Sequence, residues 1–149
     1  MGLDMFLTKT RYLMENERQG LVLTFPNEPG SSAPKASRVR EIIEEIMYWR
    51  KANAIHAWFV DNVQDEVDDC GTYHVEKGQL RELLALAKQV CNDHSLAPTL
   101  LPTRGGFFFG DIGYDEWYFQ DLEETISVLE SFLREDIGGW DTLEYHASW

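Results

Sequence analysis

The sequence predicts an α+β domain, a small antiparallel or mixed sheet of three to five short strands packed with about three amphipathic helices. Three observations carry this expectation. Apolar residues alternate near both ends, they recur at helical spacing in central segments, and polar or glycine-rich stretches separate the two patterns. With 149 residues and 44% hydrophobic content the chain can bury one core without disulfide staples, and residues 1–149 read as a single domain.

The elements follow in order. Leu3, Met5 and Leu7 alternate with Asp4, Phe6 and Thr8, which predicts a first strand over residues 3–12. Leu21-Val22-Leu23-Thr24-Phe25 reads as a second short strand, a hairpin partner across a polar turn at residues 15–20. Proline, glycine, asparagine and serine then predict a mobile surface loop near residues 26–36. Ser37 is placed to cap the longest helix, over residues 38–63, whose stripe is Ile42, Ile43, Ile46, Met47, Ile55, Trp58 and Phe59. Two helices meeting near Ala52 fit the same pattern.

The carboxylates of Asp65, Glu66, Asp68 and Asp69 would be repelled by a helix C-terminus, so residues 64–71 are expected to form a loop. Tyr73-His74-Val75 reads as a short strand. Leu80, Leu83, Leu84, Ala87, Val90 and Cys91 mark a second helix, and residues 92–102 a loop. Gly105-Gly106-Phe107-Phe108-Phe109-Gly110 reads as a glycine-bracketed strand, with Phe108 opposite Phe107 and Phe109. Tyr118, Leu122, Ile126, Leu129, Phe132 and Leu133 mark a third helix within residues 114–134, and Leu143-Glu144-Tyr145-His146 a last strand.

The formal net charge is −13, concentrated in two blocks. Residues 41–76 carry two basic and nine acidic groups, and residues 111–149 carry one and eleven. Direct nucleic-acid binding is disfavoured, because neutralising phosphates needs clustered Lys and Arg. A protein with a basic surface is the partner such a field attracts. No apolar run reaches the roughly 18 residues of a membrane span. Neither a signal peptide nor a myristoylation motif is read near Met1, and Cys70 and Cys91 fit a reducing compartment, so a cytoplasmic location is expected.

Residues with chemistry are few. Arg50, Asn53 and His56 stand at helical spacing with Lys51 beside them and, with Tyr73, could line a polar ligand pocket. His56 could act as general acid or base, oriented by Asp61 or Asp68, but no nucleophile is spaced to join it. Cys70, His74, Cys91 and His94 are the right donors for zinc in an unfamiliar spacing. The Asp65 to Asp69 run lacks the glycine and final glutamate of a calcium loop, and Gly105-Gly106 precedes a strand where a phosphate cradle precedes a helix. No metal or cofactor is therefore expected.

Met1-Gly2-Leu3-Asp4-Met5, Tyr48-Trp49-Arg50-Lys51-Ala52-Asn53-Ala54-Ile55-His56, Trp58-Phe59-Val60 and Asp68-Asp69-Cys70 with Tyr73 resemble a family of small proteins encoded in phages and prophages. Leu101-Pro102, Gly106-Phe107-Phe108-Phe109-Gly110, Tyr114-Asp115-Glu116 and Ser148-Trp149 extend the likeness over most of the chain. The resemblance implies a phage accessory product acting in the cytoplasm of a bacterial host, from a class rich in inhibitors and decoys of host defence. The leading expectation is thus a non-enzymatic acidic protein that binds and inhibits a host defence or nucleic-acid-handling protein. Its contact residues would be Asp65, Glu66, Asp68, Asp69, Asp111, Asp115, Glu116, Glu123 and Glu124. The alternative is a small-ligand or nucleotide-sequestering module, or a small hydrolase, using Arg50, Asn53 and His56. Homodimerisation through Ser148-Trp149 is a further expectation.

Overall fold

The computed structural model describes residues 2–25 and 32–149. Four strands, β1 (Asp4–Tyr12), β2 (Glu41–Arg50), β3 (Thr72–His74) and β4 (Asp141–Ser148), form one antiparallel sheet in the order β2-β1-β4-β3. Five helices accompany them: α1 (Glu15–Gly20), α2 (Asn53–Asn62), α3 (Lys77–Asn92), α4 (Ala97–Leu100) and α5 (Glu116–Phe132). The α+β expectation therefore holds, with the antiparallel form of the sheet.

One sheet face is apolar because the side-chain period of a strand is two. Met5 and Leu7 on β1, Met47 and Trp49 on β2, and Leu143, Tyr145 and Ala147 on β4 share it, all buried. Each fully buried large apolar side chain contributes about 1.5–3 kcal/mol relative to an exposed one. Leu80, Leu83 and Ala87 of α3 and Leu122, Leu129 and Phe132 of α5 join the same core. The opposite face carries Asp4, Phe6, Thr8, Tyr48, Glu144 and His146, which are half-buried or exposed.

The longest helix expected from sequence is instead a strand followed by a helix. A bulge sets Ile46 opposite no partner, between the pairs Leu7/Met47 and Thr8/Glu45. The extra residue breaks the alternation of β2 and leaves Ile42, Ile46, Met47 and Trp49 at intervals that imitate a helical stripe. Ser37 accordingly caps no long helix and lies in a short 3-10 turn, Ala36–Arg38. The division near Ala52 does occur, between β2 and α2. From Asn53 to Val60 every residue of α2 is buried, so this helix has no wet face over that stretch.

Three further expectations change. Residues 15–20 form α1 where a turn was expected, and residues 21–25 pair with no strand. The Phe107–Phe109 segment is a turn, closed by Phe109 N–H donating to the Gly106 carbonyl at 3.1 Å, so strand alternation does not apply to it. Phe107 is 96% exposed while Phe109 is buried. Residues 94–100 are helical, a 3-10 turn running into α4. The loop expected near residues 26–36 lies, up to Ser31, outside the described residues. Among the described residues no helix is long and apolar enough to cross a membrane.

Candidate functional site

The β2–α2 junction is where backbone and side-chain chemistry converge. Lys51 turns the chain out of the sheet with φ of 59°, a left-handed conformation uncommon for a residue with a side chain, and its N–H donates to the Leu3 carbonyl at 2.7 Å. Gly110, at φ +86°, lies directly against the aliphatic stem of Lys51. A Cβ at that position would stand 3.1 Å from Lys51 Cβ, so the close approach needs glycine. The helix that follows begins at Ala52, which has no polar side chain to cap it, and its first turn has no side-chain cap.

Asn53 fixes the segment that faces this turn. Its Nδ2 donates to the carbonyls of Phe109 (3.1 Å) and Asp111 (2.7 Å), and its Oδ1 accepts from the Arg104 N–H (3.1 Å). Three of the four hydrogen bonds available to an amide side chain are thus made to one loop. The same loop is tied further by Thr103 Oγ1 donating to the Ile112 carbonyl and Tyr118 Oη donating to that of Leu101.

Between the α2 turn, this loop and α5 lies a half-open cavity of about 280 Å³. Arg50 and Lys51 line it from the sheet side, Asp111, Asp115 and Asp121 from the loop and α5, with Trp117 and Leu122 as apolar wall. Asp115 is the N-cap of α5, its Oδ1 accepting from Tyr118 N–H at 3.0 Å, which explains this carboxylate structurally. Asp121 has no such explanation. Its side chain has no hydrogen-bonded or ion-paired partner among the described residues, and burial, reinforced by Glu124 and Asp115, pushes its carboxyl from an ordinary 3.8 up to about 6.

This shift has a sign that can be measured. With the folded value above the unfolded one, protonated Asp121 favours the folded state below pH 3.8, and that advantage is lost as pH rises through about 6. Replacing it by neutral Asn should therefore stabilise the protein at pH 7.5 by about 1–2 kcal/mol, a figure discounted for partial exposure. Thermal melts of wild type and Asp121→Asn at pH 7.5 and pH 4 test this. The gain should vanish at pH 4, and an equal gain at both pH values would mean that charge is not its cause.

His56 lies elsewhere. It is 0% exposed and does not line the cavity. Its Nε2 is 3.0 Å from Asp68 Oδ1 and its Nδ1 2.7 Å from Tyr145 Oη. An ionised carboxylate only accepts, so the neutral ring donates from Nε2 to Asp68 and accepts at Nδ1 from the Tyr145 hydroxyl. Phe109 and Trp149 pack edge-on against the ring, at centroid distances of 5.2 and 5.4 Å. Burial holds the imidazole pKa below its usual value, the opposing pull of Asp68 being the smaller effect. A ring so enclosed meets no solvent-borne substrate, and the arrangement is a structural chain running from Asp68 at the surface inward to buried Tyr145. Trp149, expected at an exposed self-association terminus, is half-buried against it.

Of the pocket residues read from sequence, Arg50 and Asn53 share the cavity. Tyr73 sits at the sheet edge, its hydroxyl donating to Asp69 Oδ1 at 2.9 Å. The acidic set divides. Glu66 N–H binds the Val60 carbonyl at the C-terminal end of α2, whereas Asp111 is held at its N-terminal end through Asn53. Asp65 and Glu66 adopt positive φ, of 51° and 63°, and Asp69 also accepts from Gly71 N–H. Glu116, Glu123 and Glu124 line an open groove along α5, with Phe119 and His94 stacked at 3.7 Å within it. None of those three glutamates pairs with a cation among the described residues. Of the zinc candidates, Cys70 and His74 are exposed, Cys91 half-buried on α3 and His94 in this groove. Among the described residues no group of three or more His, Cys, Asp or Glu is placed to hold a metal ion.

Sequence reasoning missed Asp121 as a cavity residue, whereas Lys51, read beside Arg50 and Asn53, does line the cavity. A signal for Asp121 was present: it falls three residues after Tyr118 and four before Thr125, both buried, so a carboxylate stood on the apolar stripe of α5. Lys51 reaches the cavity through its left-handed backbone rather than through the helical spacing assumed for it.

Fold and site together define a class, a small antiparallel sheet backed on one face by helices, with a mixed-charge cavity at the sheet-to-helix junction and an unpaired acidic face on α5. Comparison with family models, curated proteins and solved structures finds no match to this chain.

Proposed function

We propose that this chain is a non-enzymatic accessory protein of phage type that binds, and inhibits, a host protein through the acidic face of α5. The observation that carries the reading is the groove of Glu116, Glu123 and Glu124 around the His94–Phe119 stack. Its carboxylates have no cation among the described residues to neutralise them, and a stacked aromatic pair supplies apolar contact area beside them. Trp117, 73% exposed at the start of the same helix, adds an aromatic anchor of the kind that interface hot spots use. A cationic protein surface complements all three features, and a defence or nucleic-acid-handling protein of the host offers such a surface. Burial of His56 supports a non-enzymatic role.

The test is to pass nuclease-treated bacterial lysate over the immobilised protein and elute with rising salt. The expected result is one near-stoichiometric host protein, released as ionic strength screens the contact. The variant Glu116→Lys, Glu123→Lys, Glu124→Lys should lose it by about 100-fold or more in affinity, since reversed charges replace attraction by repulsion. Asp68 and Asp115 are left intact because they bond His56 and cap α5. Retention unaffected by both salt and the triple variant would overturn the reading.

A further inference from the structure

The α5 groove leaves the cavity at the β2–α2 junction unexplained, and that cavity is built differently. Its lining holds charges of both signs together, where the groove holds one. Lys51 makes no ion pair among the described residues, and Arg50 has one long ion contact, to Asp4 at 3.8 Å, beside the Tyr48 hydroxyl. On the α5 side the Asp121 carboxylate meets no donor among the described residues, and the neighbouring carboxylates of Asp115 and Glu124 only oppose its charge. Unpaired opposite charges inside one chain ordinarily find each other; here a space of about 280 Å³ lies where they would meet. The apolar wall of Trp117 and Leu122 completes the composition common to small-molecule sites, mostly apolar surface with a few placed polar groups.

We infer that this cavity binds a small zwitterion of the amino-acid class, its carboxylate held by Arg50 and Lys51 and its ammonium by Asp121 beside Trp117. The carboxylate pole also meets the uncapped first turn of α2, where the backbone N–H groups and the positive helix end favour an anion. At the other pole, an ammonium answers the unpaired Asp121 and can lie over the Trp117 ring. A purely anionic ligand such as a phosphate would bring its charge against Asp111, Asp115 and Asp121. A simple amine would leave Arg50 and Lys51 unanswered. The small volume selects a single amino acid or a compound of similar size over a nucleotide. This inference shares Trp117 with the α5 reading but uses none of the groove glutamates, so variants at Asp121 or Arg50 and at the groove glutamates test the two separately.

The experiment is a two-dimensional amide NMR titration of the ¹⁵N-labelled full chain. Its probes are the twenty α-amino acids, γ-aminobutyrate, 5-aminovalerate and 6-aminohexanoate. At least one probe should give saturable shifts at Asn53, Ala54 and Ile55 and at Trp117–Leu122, with a dissociation constant of about 1 mM or tighter. The N-acetyl and carboxamide derivatives of that probe, each missing one charge, should bind about tenfold or more weakly, as should Asp121→Asn and Arg50→Gln. Glu82→Gln, exposed on α3 and outside both the cavity and the groove, should bind as wild type. Asp121→Asn removes a charge that burial disfavours and so remains a folded reporter. Absence of saturable shifts with every probe, shifts confined to other surfaces, or derivatives binding as tightly as the parent would each overturn the inference.

Discussion

His56→Ala should lower the free energy of unfolding by about 3–4 kcal/mol in urea denaturation, among the largest effects available to a single substitution here. Two losses combine. The ring leaves a cavity beneath Phe109 and Trp149, and the Tyr145 hydroxyl, on a side chain 0% exposed, loses its partner in a site that water does not reach. A double-mutant cycle with Tyr145→Phe separates them. If the pair is coupled as its 2.7 Å contact implies, the double variant should be more stable than the sum of the single losses allows. A loss under about 1 kcal/mol for His56→Ala would mean that the ring is not buried as described.

The same residue sets a pH dependence. Its folded pKa is depressed by burial below the ordinary 6.5, so the unfolded state takes up the proton more readily. Stability from this group is complete above about pH 6.5 and is lost as pH falls through the folded value. His56→Gln should flatten the acid limb below pH 6.5. Asp121 acts in the opposite direction below pH 6, so the cleanest reading comes from the His56 variant in an Asp121→Asn background.

Asn53→Ala is the second large effect, expected at about 2–4 kcal/mol. The substitution strands two carbonyls and one N–H of the 104–111 segment at once, and that segment forms the roof of the cavity. Hydrogen exchange should accelerate at Arg104 and around Phe109, while the β1–β4 ladder stays protected. Asn53→Asp should be at least as damaging, because an ionised carboxylate cannot donate to the Phe109 and Asp111 carbonyls. Unchanged exchange in that segment would show that other contacts, such as Thr103 to Ile112, hold the roof alone.

The sequence made β1, β3, β4, α3 and α5 legible because each keeps one period without interruption. In β1, Met5 and Leu7 alternate cleanly up to the bulge; in α5, Tyr118, Leu122, Leu129 and Phe132 keep the helical step. β2 was hidden because its bulge adds a residue exactly where periodicity is measured, and Ile42 to Trp49 then fits the wrong template. The β-branched and aromatic content of Ile42, Ile43, Ile46, Tyr48 and Trp49 was the contrary signal, a composition that suits strands. The Phe107 to Phe109 run failed for another reason: its apolar character spoke for a strand, but Gly106 and Gly110 let the backbone turn, and nothing local says which prevails.

For the site, Arg50 and Asn53 line one cavity although the helix assumed for Arg50 does not exist. Their proximity comes from the abrupt strand-to-helix turn at Lys51, which keeps neighbours in sequence close in space. His56 was read for its chemistry, while its enclosure depends on Phe109, Tyr145 and Trp149, residues 53 to 93 positions away that no local pattern connects to it.

The irregularity in β2 has a bearing on the protein's behaviour at high concentration. This strand forms one rim of the sheet, and an open rim is a template on which a strand from another molecule can grow. Here the rim is kinked at Ile46 and studded with Glu41, Glu44 and Glu45, so an incoming copy meets a mismatched ladder and its own like charges. The other rim, β3, is only three residues long and too short to seed a stack. The displaced residue that disguised the strand is thus also a guard against fibrous association, and straightening it would open a route to aggregation.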